Sequence, residues 1–497
     1  RTSFRLDGGE LRQVVHPRVG PPVGLADLTG LPAAERQRRI AELFGQLEAE
    51  PFRLDAAPLW RATLARDGEA GWLLLLLTHH SVVDGASASV IHKELTELCS
   101  AAAGGREPAL PELPIQYADY AVWQRERLSG PAMRTLVDYW RPVLAGLPSM
   151  HSVPTDRPRP AQRSFEGGGI IVRFGPGVLD ALPDVCGRLA ASPFMVLCAA
   201  YLALLNRLSG RGDIVVGVPV AGRDLPELQP LVGMFVNVVA LRVDTGGDPT
   251  FETLVDRVRT AALAMLEHQE MPYQRLVELL PAGYDPAAPP LYQLGFNYLG
   301  QIAGFADSSG TAESDLMLEV TQSDFRLEYA SALFDEDTAK AIANAYVDVL
   351  AVVLRDQGLR LSQLPVAARA GTPSTAPPAP SAGRPPVTPT APTARWEPPR
   401  TPAEELVAHV WAELLGIDRV GAHDEFFALG GHSLLALRVI ARLSAAAEVE
   451  LPIHAFFDDT TVAGVAAALE RQVVAQVDEL SDEEAERFLA TQDGRLG

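Results

Sequence analysis

The sequence predicts a two-lobed α/β (α+β) unit, joined through a proline-rich spacer to a small all-α bundle. Three observations carry this reading. Strand-like and helix-like segments alternate through two stretches on either side of a turn-rich TDRPRP at 155–160. Residues 371–400 place ten prolines in thirty positions, a composition that builds no core and acts as a semi-extended spacer. Beyond it the apolar spacing is helical, and three or four helices in so short a stretch form a bundle.

The elements follow in order. Residues 33–48, in PAAERQRRIAELFGQLE, have the 3.6-residue apolar spacing of a helix. LWRATLARD and GWLLLLLTHH read as two strands about a turn near Asp67 and Gly68. Helices follow at 85–100, in YADYAVWQRERL and in MRTLVDYWRPVLAGL. After the TDRPRP joint comes a strand at 165–174, helices at 178–190 and 193–208, and strands at 213–219 and 232–243. Helices at 250–267 and 272–279 precede strands at 291–299, 315–322 and 326–333, and a last helix covers 335–355. The C-terminal bundle is expected to have helices at 402–415, 433–446 and 461–474.

Charge and cysteine usage narrow the function. The 497 residues carry a net charge of −21, against nucleic-acid or anionic-membrane binding. Residues 401–497 hold eighteen Asp and Glu, six Arg and no Lys, so the bundle is an acidic module suited to basic partner patches. Cys99, Cys186 and Cys198 lie in apolar helical patterns without CxxC spacing, which fits a reducing cytosol and no zinc site. RTSFRLDGG is no signal peptide, and the longest apolar stretch, from Phe194, falls short of the roughly 20 residues of a membrane span.

HHSVVDG at 79–85 sits where an apolar strand ends and a helix begins. An imidazole there can exchange a proton near neutral pH. Gly85 would permit a sharp turn, and Asp84 could orient a histidine or pair with an arginine. The same residues equally fit a capped helix start with one histidine packed in the core. Adjacent histidines at a strand end point to opposite faces, against a metal site. In FFALGGHSLLALRVIARL, Ser433 follows a Gly430–Gly431 loop and opens an amphipathic helix. The helix dipole there favours a phosphodiester, although such a serine also serves as a plain cap.

Several motifs in one order carry a resemblance. PFRLDAAPLWRATL, THHSVVDGAS, YADYAVWQ, PTDRPRP, GVPVAGRDLPELQPLVGMFVNVVALR and HQEMPYQRLVE together resemble the condensation domains of nonribosomal peptide synthetases over residues 1–368. TPAEELVAHVWAELLGID, DEFFALGGHSLLALRVIARL and LPIHAFFDDTTVAGVAAALE resemble peptidyl carrier proteins over 401–475. The resemblance implies a chloramphenicol-acetyltransferase-like fold with lobes at about 1–160 and 161–368, a linker at 369–400, a four-helix carrier bundle and a tail at 476–497. It implies a peptide-bond-forming acyltransferase. It implies that His80 is the active-site histidine, that His79 and Asp84 are structural, and that Gly85 lets the backbone approach the reacting centre. Asn237 lies near the second lobe's crossover, where a strand-end structural role is equally open. Tyr117, Asp119 and Trp123 match a structural motif. Ser433 matches the family's attachment point for 4′-phosphopantetheine. The implied partners are an upstream acyl or peptidyl carrier, an adenylation enzyme acting in trans and a phosphopantetheinyl transferase.

Three departures from the family stand out. The chain begins within an arginine-rich motif, at RTSF, so a preceding helix, strand and the arginine that pairs with Asp84 are expected upstream of Arg1. Val238 stands where threonine is usual. PPLYQLGFNYLG lacks a basic start and shares FNYLG with epimerization domains, which carry a different stretch in place of GMFVNVV. Only the spacer occupies the usual place of an adenylation domain. Ester formation and a non-catalytic recruiting role remain alternatives to amide formation.

Overall fold

A computed structural model describes residues 1–366 apart from 8–9, 21, 68–70, 281–286 and 301–309. It also describes residues 397–478 apart from 416, 427–428, 430–438, 441, 445, 448, 450, 453–454 and 457–458. The chain divides into two units: Arg1–Trp123 with Arg223–Phe235 and Thr388–Gly497, and Gln124–Gly222 with Val236–Val387.

The first unit opens with the antiparallel pair β1 (Thr2–Asp7) and β2 (Glu10–Val15). Strand β3 (Val23–Asp27) then runs parallel to β4 (Trp60–Arg66), which is antiparallel to β5 (Trp72–Thr78). One face of this small sheet packs against α1 (Ala33–Glu48), with Leu28, Leu43 and Ala65 at the contact. Helix α2 (Gly85–Gly104) starts just beyond β5, and α3 (Tyr117–Arg127) follows. The three N-terminal strands have no counterpart among the expected elements, because their short, polar-interrupted runs carry little period-2 signal.

In the second unit, α4 (Gly130–Leu144) leads into β6 (Gly167–Arg173), α5 (Leu182–Leu189) and α6 (Pro193–Ser209). Strands β7 (Asp213–Val220) and β8 (Asn237–Asp244) precede α7 (Phe251–Glu267) and α8 (Tyr273–Glu278). Strands β9 (Leu294–Gly300), β10 (Leu316–Thr321) and β11 (Asp324–Ala330) and helix α9 (Glu336–Val353) complete it. The sheet order is β6–β11–β10–β9–β7–β8, mixed in direction, with β7, β9 and β10 parallel. TDRPRP lies within this unit, where Arg159 pairs with the buried Asp315.

Helix α6 organises that core. Ser192 caps it by accepting the Met195 N–H, Pro193 presets its first turn, and Gly210 ends it in the left-handed region. Residues 195–205 are all buried, so the helix is apolar on every side and lies between α7, α9 and the sheet. Among the described residues no single helix is long and apolar enough to cross a membrane.

In the carrier segment, α10 (Pro402–Leu415) and α11 (Val462–Asp478) pack together. Trp411 meets Phe426 edge-on at 4.9 Å between ring centres, and Phe426 meets Phe456 likewise at 5.2 Å. The expected helix at 433–446 falls largely outside the described residues.

Two buried tyrosines in the α6 core differ in one respect. The Tyr346 hydroxyl donates to the Leu197 carbonyl at 3.2 Å, whereas the Tyr201 hydroxyl has no partner among the described residues. A buried polar group without a partner keeps its desolvation cost uncompensated. Tyr201→Phe is therefore expected to leave the thermal midpoint unchanged or raised, while Tyr346→Phe costs about 1 kcal/mol; thermal denaturation of both variants checks the contrast.

Candidate active site

The strand-to-helix turn after β5 holds the HHSVVDG residues. The His79 N–H donates to the Leu59 carbonyl at 2.9 Å and so extends the pairing of β5 with the chain before β4. The His79 ring lies edge-on to Phe52 at 5.8 Å. Its Nδ1 receives the Ser81 N–H at 3.2 Å and lies 2.8 Å from the Ser81 hydroxyl. A backbone N–H can only donate, so Nδ1 is an acceptor and the ring proton sits on Nε2. Burial, and then the neighbouring His80 charge, holds the His79 pKa below its ordinary value. His80 starts a 3-10 turn (His80–Val82) and is exposed.

Asp84 is 2 % exposed and bonded through both carboxylate oxygens. Oδ1 caps α2 by accepting the Ser87 N–H at 2.7 Å and also takes Arg223 Nη2 at 3.0 Å. Oδ2 accepts the Phe235 N–H at 3.0 Å. Burial pushes this carboxyl up, but the donors from Ser87, Phe235 and Arg223 outweigh it and hold the pKa below the usual carboxylate range. The pairing arginine is thus Arg223, within the chain, rather than one upstream of Arg1.

Arg223 is itself 4 % exposed. Its Nη1 donates to the Leu228 and Leu231 carbonyls at 2.6 and 2.8 Å, and its guanidinium lies 4.1 Å from the centre of the Phe235 ring. The Ser87 hydroxyl accepts from Arg223 at 2.7 Å and from the Gly233 N–H at 3.0 Å, and donates to the Gly233 carbonyl at 2.8 Å. Tyr117 donates its hydroxyl to the Met234 carbonyl at 2.6 Å. Its ring lies against Gly233, where a Cβ would come within 2.1 Å of the ring, so no other residue fits. These bonds use the backbone groups of 233–235, which is why β8 begins at Asn237 and not at 232 as the apolar run suggests.

At Gly85 the backbone makes no demand that only glycine could meet. It is the first residue of α2, lies outside the left-handed region, and a Cβ there would meet nothing within 4 Å. The turn itself does not require glycine. Asn237 belongs to the second unit. Its Nδ2 donates to the Gln269 and Met271 carbonyls at 2.9 and 2.7 Å, and its Oδ1 accepts the Tyr273 N–H at 3.1 Å. With these bonds made, the side chain anchors 269–273. Ser433 lies outside the described residues. Spacing alone could not reveal Arg223, 139 residues from Asp84.

Comparison with known proteins gives these features a class. Residues 1–372 match the Condensation domain family, and the chain belongs to it. Residues 405–469 match the Phosphopantetheine attachment site family, whose prosthetic group is covalent 4′-phosphopantetheine, so the chain joins a condensation domain to a carrier domain. It is 35% identical over 390 residues to one of the linear gramicidin synthase proteins of Brevibacillus parabrevis, covering 74% of this chain and 8% of that protein. It is 35% identical over 385 residues to phosphinothricin tripeptide synthetase PhsC of Streptomyces viridochromogenes, covering 74% of this chain and 36% of that protein. The chain therefore spans well under half of either relative. The crystal structure of the X-domain from teicoplanin biosynthesis superposes with a TM-score of 0.66 at 28% identity, over 74% of this chain and 86% of that one. The four-domain nonribosomal peptide synthetase AB3403 shares the fold at a TM-score of 0.65 and 23% identity, over 73% of this chain and 29% of that one.

Removing either partner of the buried pair strands the other's charge. Asp84→Asn is expected to cost about 3–5 kcal/mol at neutral pH. Because the folded-state pKa is lowered, the ionised carboxylate stabilises the fold above the ordinary value of about 3.9 and that contribution fades as pH falls through the lowered value. Denaturant titrations from pH 7 to pH 3 should show a flatter acid slope in the variant than in the wild type.

Proposed function

We propose that this chain forms an amide bond between an acyl or peptidyl group delivered by an upstream carrier and an aminoacyl acceptor held on its own carrier at Ser433. The observation that supports this reading most is the exposed His80 on the turn that leads into the buried Asp84–Arg223 pair. Bound 4′-phosphopantetheine would supply the thiol and the long arm that present the acceptor. His80 takes the proton of the attacking amine or holds the developing charge in place. His79, its Nδ1 engaged by Ser81, orients the turn and does not compete for that proton. Tethering both reactants raises their effective concentration far above that of free solutes. Ser433 needs activation by a phosphopantetheinyl transferase, and an adenylation enzyme acting in trans would load the carrier.

A second reading has one observation in its favour. The X-domain, whose fold this chain shares, has been solved in a complex with OxyB, and a recruiting role of that kind would need no chemistry at His80.

Incubation with coenzyme A and a phosphopantetheinyl transferase should add one phosphopantetheinyl mass to the wild type and none to Ser433→Ala. With loaded donor and acceptor carriers, His80→Ala should lower amide formation by about 10²–10⁴-fold while leaving the mass gain intact. Unchanged turnover in His80→Ala would favour recruitment, and hydroxyl acceptors reacting in preference to amines would favour ester formation.

A further inference from the structure

A cavity of about 290 Å³ opens in the second unit, among the 148–153 segment, the end of α6 and the first residues of β7 and β9. None of the residues placed at the active turn lines it. Met150, Val153, Leu205, Ile214 and Leu294 form the apolar part of its wall, beside several polar side chains. Its volume lies near the lower end of small-molecule sites, at roughly 300 Å³.

The polar side chains of the lining are already engaged, with one exception. His151 Nδ1 takes the Val153 N–H at 3.0 Å, which leaves its proton on Nε2 for Asp315 at 2.9 Å. Gln293 accepts the His151 N–H at 3.0 Å and donates to the Pro289 carbonyl at 3.0 Å. The Ser209 hydroxyl donates to the Leu205 carbonyl at 2.7 Å and accepts the Arg211 N–H at 3.2 Å. Both oxygens of Asp213 receive Arg242, at 2.9 and 2.7 Å. Arg211 is different. Its Nε donates to the Ser152 hydroxyl at 3.0 Å, which holds the guanidinium at the cavity, and its two Nη atoms have no partner among the described residues.

Arg211 is an exposed residue on the lining, so a cavity with apolar side chains and this guanidinium suits an apolar tail that ends in a carboxylate. The two Nη atoms offer charge-assisted donors to the carboxylate, and the walls accept the chain. We propose that this cavity binds a short apolar carboxylate at a site separate from the HHSVVDG turn.

Calorimetric titration of the purified chain with hexanoate and with its neutral isostere hexanamide tests this. Hexanoate should bind saturably and about tenfold more tightly than hexanamide, the size of one charged hydrogen-bonded contact. Arg211→Gln should bring hexanoate down to the affinity of the amide, and Met150→Trp, which fills the cavity from a partly exposed position, should weaken both ligands. His80→Ala should bind hexanoate as the wild type does, and Arg211→Gln should retain amide-forming activity. No saturable binding, equal affinity for acid and amide, or an Arg211→Gln variant indistinguishable from the wild type would overturn the proposal. Hexanoate binding that disappears in His80→Ala yet survives Met150→Trp would also overturn it, by assigning the ligand to the active turn.

Discussion

A carboxylate with no exposed side-chain surface, paired with an almost equally buried arginine, fixes the geometry on which the site rests. Removing two charges from water costs several kcal/mol for each ion, and attraction repays this only when the remaining donors and acceptors are satisfied. Asp84 meets that condition through the Ser87 and Phe235 amides, and Arg223 through two carbonyls, a hydroxyl and an aromatic face. The pair joins residues 139 positions apart and so specifies one arrangement of the turn and of the 223–235 segment. A well-packed apolar pair could be as stable but would place neither backbone so definitely.

Strands and helices with strong periodicity are legible in the sequence alone. The expected helix at 33–48 coincides with α1, and the strands placed about Asp67 coincide with β4 and β5 to within a residue or two. The same hydrophobic signal misleads at 232–236, where Val232 and Phe235 invite a strand reading. The backbone there instead bonds to Ser87, Asp84 and Tyr117, side chains that no local pattern connects to it. Arg223 is invisible as a partner for the same reason. Tertiary pairing overrides local propensity where a buried charge demands donors.

Asn237 shows the limit of residue type as a guide. An amide beside a motif reads as chemistry or as strand-end satisfaction with equal ease. Its bonds, two donated and one accepted within 269–273, tie the side chain to that segment. Gly85 makes the converse point. Its backbone lies outside the left-handed region, so its residue type alone overstates the need for glycine at this turn.

The two adjacent imidazoles are not equivalent, and this has an electrostatic consequence. One ring is tied to a backbone amide and partly withdrawn from water, and a positive charge next door further disfavours its ionisation. Adjacency in sequence thus does not make the two rings interchangeable: His79 is spent on holding the backbone of the turn, and His80 is the one left exposed.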